Sequence, residues 1–364
     1  GARRCRRASG PPPAPPRRVI RLRRRLVWSG AGLGALLLAA AIAWAAEGLH
    51  TSAAPTRISI DATPIASFDN RDPTRVRFGA LEFRGGLVLT SDYNAFGGVS
   101  ALHMEADGAH FLAVTDNGSW LKARIVYDAS GKPVSIADAE MAPALGSDGT
   151  PLAAHGWHDL ESLAAAGDGK FYVGIERVER IVRFDLRKGG LEARGAPIKV
   201  PPDFRTFKYN KSLECLAVPP EGSPHGGDLI TVTERSLDSQ GNHRAFILNG
   251  DRVERFSVKR SNDFDISDCA VLAPGDLLLL ERSFSLTAGV GMRLRRIPLA
   301  SLKDGALVDG PVLATADMGY QIDNMEGIGV HRTPGGETVL TLVSDDNFSP
   351  IQRTLLLQFT LVGE

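Results

Sequence analysis

Helical periodicity is what this 364-residue chain lacks. No stretch repeats apolar residues at helical spacing over any length, so the natural reading is all-β. Cysteine is scarce, with Cys5, Cys215 and Cys269 only, and no Cys/His spacing suits zinc. No phosphate-binding glycine loop occurs. No Gly-x-Ser-x-Gly elbow surrounds Ser283, which follows Glu281-Arg282, so covalent esterase chemistry has little support. Clustered positive charge is missing outside the first 30 residues. That leader holds ten arginines and no acid; removing it leaves 32 basic against 42 acidic residues, a net charge of −10. An acidic domain of this kind is a poor candidate for nucleic-acid binding and a plausible one for metal cations.

The N-terminal part divides by composition. Residues 1–26 are a basic Pro/Arg-rich leader whose stretch PPPAPPRR is expected to be disordered. Residues 27–46, VWSGAGLGALLLAAAIAWAA, read as a signal h-region with Ala43-Trp44-Ala45 as a small-x-small cleavage site, or as an uncleaved membrane anchor. Either reading sends the domain out of the cytoplasm, to the periplasm or beyond, with attachment to the inner membrane in the anchored case. Residues 47–74 are expected to be an extended linker, and residues 75–364 the folded domain.

Within that domain a weak repeat recurs. Its first half reads Gly98-Val99-Ser100-Ala101-Leu102, Asp159-Leu160-Glu161-Ser162-Leu163, Ser212-Leu213-Glu214-Cys215-Leu216, Ile266-Ser267-Asp268-Cys269-Ala270 and Asn324-Met325-Glu326-Gly327-Ile328. Its second half reads Thr115-Asp116-Asn117, Ile175-Glu176-Arg177, Thr233-Glu234-Arg235, Leu280-Glu281-Arg282 and Asp345-Asp346-Asn347. Turn residues such as Gly167-Asp168-Gly169 and Ala273-Pro274-Gly275 separate the halves. Short strands repeated at this period predict a β-propeller. Six blades is the expectation, with one assembled from N-terminal strands, and five is the alternative. Thr354 to Leu361 is expected to close the ring against N-terminal strands, since closure removes exposed edges. Gly85-Gly86 is read as a hairpin turn between Val76 to Phe83 and Leu87 to Thr90. Cys215 and Cys269 are expected to be free thiols, because equivalent positions on neighbouring blades are often too far apart to bridge.

In a propeller the repeated acids at 161, 214, 268 and 326 start the first strand of each blade, and the second half ends the next. Both then meet at one rim near the axis. Carboxylates crowded there repel one another and call for cations, arginines or shared protons. Two readings follow. Glu161, Glu214, Asp268, Glu326 and Asn347 are candidate hard-oxygen ligands for Ca2+. Alternatively, Arg177, Arg235 and Arg282 neutralise Glu161, Glu214 and Asp268 in a structural ring. The same arginines with Lys211 are candidate binders of an anionic substrate. His158, on the loop before Glu161, is a candidate acid, base or ligand, though a plain loop histidine is the blander reading.

Taken together these segments resemble the phytase-like family described as "esterase-like activity of phytase". The residues that carry the resemblance are Phe96 to Leu102, Val114 to Gly118, His158 to Leu163, Glu176-Arg177, Asn210 to Glu214, Thr233 to Arg235, Leu280 to Arg282 and Asn324 to Ile328. It covers roughly residues 75–362. It implies an exported β-propeller, hydrolysis of a phosphoester or ester, and calcium at an acidic channel mouth. The chain departs from the pattern at Ser100, at Asp116-Asn117 and at Asp345-Asp346-Asn347. The expected function is metal-dependent hydrolysis of a small anionic substrate by a monomer, with metal-activated water as nucleophile and Glu161, Glu214, Glu326 and His158 as candidate catalytic residues. The alternative is a non-catalytic propeller that binds a protein or glycan on its top face.

Overall fold

Residues 54–363 are described by the computed structural model; the basic leader, the apolar run of residues 27–46 and Cys5 lie outside the described residues. Among the described residues no helix is long and apolar enough to cross a membrane. They form five sheets. The first blade runs outward through Val99–Met104, His110–Thr115, Ser119–Tyr127 and Pro133–Pro143, with Thr56–Arg57 on its outer edge. The second comprises Leu160–Ala165, Lys170–Ile175, Arg180–Asp185 and Ala196–Pro197. The third comprises Cys215–Ala217, Leu229–Leu237, His243–Asn249 and Arg252–Val258, and Leu307–Val308 adds to it in parallel. The fourth is Asp265–Leu272, Asp276–Ser285, Gly289–Pro298 and Val312–Ala316. The fifth is Asn324–Arg332, Thr338–Asp345 and Thr354–Leu361, completed by Leu81–Thr90 and Asp61–Ile65.

The five first strands contact one another in a closed cycle, which makes the sheets the blades of a five-bladed propeller. The count is five, not the expected six. The N-terminal strands that were to seed a sixth blade instead pair with Thr354–Leu361 and complete the fifth, Leu89 opposite Thr354 and Leu81 opposite Leu361. Closure by this C-terminal strand is as expected. Residues 56–65, expected as linker, already supply the edge strands of two blades. Gly85-Gly86 is not a hairpin turn. Leu81–Thr90 runs straight through it with a register shift, Gly85 at φ 151° and Gly86 paired with both Leu357 and Ile65. A Cβ on Gly86 would stand 2.7 Å from Leu357 Cδ2, so close strand packing, rather than a turn, requires the glycine.

The strands in the middle of each blade are buried on both faces, and their sequences show it. Leu277-Leu278-Leu279-Leu280 and Leu355-Leu356-Leu357 run apolar without alternation. Five apolar clusters fill the space between blades, one per neighbouring pair. Hydrogen bonds also cross between blades: Ser162 Oγ donates to Leu213 O at 2.6 Å, and Ser267 Oγ to Met325 O at 2.9 Å.

Cys215 and Cys269 form a disulfide, which corrects the expectation of free thiols. First strands of neighbouring blades approach near the axis, and the two Cα atoms lie 5.1 Å apart. The bridge ties blades three and four across 54 residues of sequence. Replacing both cysteines by serine is expected to cost about 4 kcal/mol through the freed loop, read as a lowered denaturation midpoint. A midpoint equal to that of the parent would show that the blades are already held by packing alone.

Candidate functional site

The repeated motif becomes a two-tier ring at one end of the axis. Four first strands carry a β-bulge near their start, where one residue has no partner on the second strand: Ser100, Glu161, Ser267 and Glu326. In the third blade Cys215 lies opposite Val232, and the same count puts Glu214 at that place. The bulge tier is therefore Ser100, Glu161, Glu214, Ser267 and Glu326. The register aligns a second tier at the ends of the second strands: Asp116, Glu176, Glu234, Arg282 and Asp345. Seven carboxylates and one guanidinium thus share the mouth of the ring.

The fourth blade is out of step with its sequence motif. Ser267, not Asp268, holds the bulge, and Arg282, not Glu281, holds the second-tier position. Asp268 is turned aside, and its Oδ2 accepts the backbone N–H of Ile328 on the next blade at 2.8 Å. Glu281 is fully buried between Arg293, at 2.6 Å, and Arg295, at 2.5 Å. Asn347 sits in the turn beyond Asp345, at φ 48°, and its backbone N–H donates to Asp345 Oδ1 at 2.6 Å.

The expected arginines are all present near the mouth, but with other partners than Glu161, Glu214 and Asp268. Arg177 Nε lies 2.5 Å from Asp159 Oδ2 and also donates to Asn210. Arg235 Nε lies 2.7 Å from Asp265 Oδ2 on the next blade. Arg282 spans the ring, pairing with Glu326 on one side and with Glu234, at 3.2 Å, on the other; it also donates to Asn324. Lys211 Nζ is 2.9 Å from Glu234 Oε2. His158 is half-buried beside Asp159, whose carboxyl burial raises above its ordinary value although Arg177 opposes the shift.

Two groups of carboxylate oxygens converge to within 4.8 Å of one another: Asp159, Glu161 and Glu176, and then Glu176, Glu214 and Glu234. Glu176 belongs to both. Glu214 is 3% exposed, and among the described residues none donates a hydrogen bond to its carboxylate or pairs an ion with it. All these donors are hard oxygens, a set that fits calcium. Asp268 and Glu326 lie outside both groups. The sequence reading left Asp159, Glu176 and Glu234 out of the oxygen set because it assigned the arginine of each Glu-Arg pair to the axis. Strand alternation turns neighbouring residues to opposite sides, and in blades two and three it is the acid that faces inward.

Burial is the main cause of the ring's altered acidity, and neighbouring carboxylates add to it. It raises Asp116 to about 6, Glu176 to about 7 and Asp345 to about 7. Glu326 is raised to about 8 although Arg282 opposes the shift. Glu161 and Glu214 are pushed well above the ordinary value, with one another, Asp116 and Glu234 among the repelling charges. A cavity of about 920 Å³ opens at the other end of the ring, with His103, Phe171 and His331 in its wall; none of the seven carboxylates lines it.

A sequence model described as "Phytase-like: Esterase-like activity of phytase" matches residues 94–348. No curated protein matches the chain. Among solved structures, an S. cerevisiae assembly of Dbp5 with Nup159 and Gle1 aligns at 11% identity and TM-score 0.37, over 80% of this chain and 97% of that one. U3-55K aligns at 10% identity and TM-score 0.36, over 72% and 96%. The RRP9 WD40 repeats align at 11% identity and TM-score 0.35, over 79% and 87%. These likenesses are too distant to carry any functional argument.

The raised carboxylates set a pH dependence. Their ordinary values are 3.8 and 4.5 and their folded values run from about 6 to about 8. The unfolded chain therefore loses these protons first. Their contribution to stability is complete below about pH 4 and is lost as pH rises through the folded values. In chelator the melting temperature is expected to fall between pH 5 and pH 8, and calcium is expected to reverse most of that fall. A chelated melting curve that is flat or rising over the window would mean that these acids are not crowded in solution.

Proposed function

The chain belongs to the phytase-like family, and from that premise we propose that it is an exported, calcium-dependent hydrolase of phosphoesters, or of related esters, acting at the carboxylate ring. The observation that carries this reading is the buried Glu214 carboxylate, which among the described residues has no hydrogen-bond or ion-pair partner and stands with Glu176 and Glu234. A desolvated carboxylate in that state is costly unless a proton or a cation accompanies it. Asp159, Glu161, Glu176, Glu214 and Glu234 would hold calcium, with Glu176 shared between two groups. When bound, such a cation polarises a phosphoryl oxygen and lowers the pKa of water.

The chain's own residues supply the rest. Arg282 stands beside the second oxygen group, bridging Glu234 and Glu326, where its guanidinium orients an anionic head, and Lys211, also paired with Glu234, adds a second positive charge. Glu326, raised by burial to about 8 although Arg282 holds its Oε1, is the candidate to protonate a leaving group, and among the described residues its Oε2 makes no hydrogen bond. His158 is placed to tune Asp159 rather than to reach the ring's centre. Arg177 and Arg235, held by Asp159 and Asp265, serve to fix the rim. The substrate is a small anion rather than a nucleic acid, and the protein acts as a monomer outside the cytoplasm, released or held at the inner membrane by residues 27–46.

A binding propeller without turnover is the second reading. It is favoured by the ion pairs that lock neighbouring blades, Arg235 with Asp265 and Arg282 with Glu326.

Glu176→Gln separates the two. In the hydrolase it is expected to abolish stoichiometric calcium and to lower turnover about 10²-fold, the scale of losing one preorganised electrostatic contact, while leaving the chelated melting temperature equal or higher. Calcium content is read by elemental analysis and turnover with an aryl phosphate. Absence of metal and of turnover in the parent protein would favour the binding propeller.

A further inference from the structure

The end of the propeller that carries the carboxylates is also its most apolar exposed end. Nine large apolar side chains are strongly exposed among the described residues, and six of them stand at this end, Phe284 near the end of a strand and Tyr209, Leu286, Met318, Phe348 and Ile351 on turns and loops. The other three, Val76, Leu307 and Val312, lie in or beside outer edge strands. Scattered single apolar residues need no explanation, but six at one mouth do.

Their places tie them to the ring. Beyond Arg282 the fourth blade's hairpin continues for three more pairs, ending Phe284 opposite Val290 and Ser285 opposite Gly289. It lifts Phe284, 71% exposed, and Leu286, 95% exposed, above the mouth. Met318 packs against the tip of this hairpin, since a Cβ on Gly289 would lie 2.7 Å from its Cγ. Across the mouth the Phe348 ring and the Asp116 carboxyl both lie against Gly98. The Tyr209 ring is 5.8 Å from the guanidinium of Arg177.

The charges at the mouth leave little for a polyanion. Seven carboxylates face inward, and each nearby cation is already paired: Arg177 with Asp159, Lys211 with Glu234, Arg235 with Asp265, and Arg282 with Glu234 and Glu326. A ligand with one anionic head and an apolar body matches both features. We infer that the substrate is an amphiphile, a phosphoester of an apolar alcohol, whose head enters the carboxylate ring and whose body lies across Phe284, Leu286 and Phe348. The inference rests on the hydrolase reading of the ring and adds the class of substrate. Apolar contact away from the reacting centre is a usual source of specificity.

The test uses the full chain with calcium, and methyl phosphate, octyl phosphate below its aggregation concentration, and inositol hexakisphosphate as probes. Turnover and calorimetric binding are measured for each. Octyl phosphate is expected to exceed methyl phosphate at least about tenfold in kcat/KM and in affinity, since each buried methylene contributes about two- to fourfold. Phe284→Ser/Leu286→Ser is expected to collapse that ratio several-fold, while Leu307→Ser, on an outer edge, keeps it. Turnover with no dependence on chain length, or with inositol hexakisphosphate preferred, overturns the inference and leaves the hydrolase. Chain-length-dependent binding without any turnover overturns the hydrolase and leaves the amphiphile site. Neither turnover nor chain-length-dependent binding overturns both.

Discussion

Closure of the ring is the constraint on which everything else in this protein depends. Pairing of Thr354–Leu361 with Leu81–Thr90 turns five separate sheets into a cycle. In a cycle the first strands have no freedom to splay, so whatever stands at their upper ends must share the axis. Here that is mostly carboxylate. The apolar clusters between blades supply the driving force, and the charge crowding at the mouth is a cost they carry. The Cys215–Cys269 bridge acts at the same place, fastening blades three and four where Glu214, Glu234 and Arg282 meet.

Crowded carboxylates do not all suffer equally, because the ring is uneven. Blades two and three concentrate acids, and their oxygens converge in two groups around Glu176. Blade four breaks the pattern with Ser267 and Arg282, and its guanidinium neutralises Glu326 and Glu234. The consequence is an acid-rich side in blades two and three that meets a resident guanidinium at Glu234. Such a meeting is what hydrolysis of an anionic ester needs: acids to draw metal, a guanidinium to orient the anion. A uniform ring of Glu–Arg bridges would offer neither.

The apolar rim extends this arrangement outward. Phe284 and Leu286 rise on the hairpin that also delivers Arg282, so the arginine and the apolar tip are parts of one element. A site built this way couples head-group recognition to contact with the body of the ligand. The large cavity at the other end takes no part in that coupling, since it shares no residue with the ring.

Much of this was legible in the residues alone. The all-β class follows from missing helical period and frequent turn signals, and the repeated acid motif predicts a propeller with its chemistry at one rim. Closure by Thr354 to Leu361 follows from the need to hide strand edges. Blade count, register and pairing were not legible. Whether Leu81–Thr90 starts its own blade or completes another depends on which edge it meets, and that is a long-range choice invisible to local pattern. A one-residue bulge decides whether Ser267 or Asp268 faces the axis, and side-chain alternation makes such a slip reverse every role beyond it. Cys215 and Cys269 meet only because neighbouring first strands converge, a closeness that their sequence separation of 54 cannot reveal. Residue types and their period are local facts, so the all-β class and an acid-rich rim could be read without the fold. Only the tertiary structure decided which acids gather, which arginine joins them and which are turned away, because those outcomes depend on strand register around a closed ring.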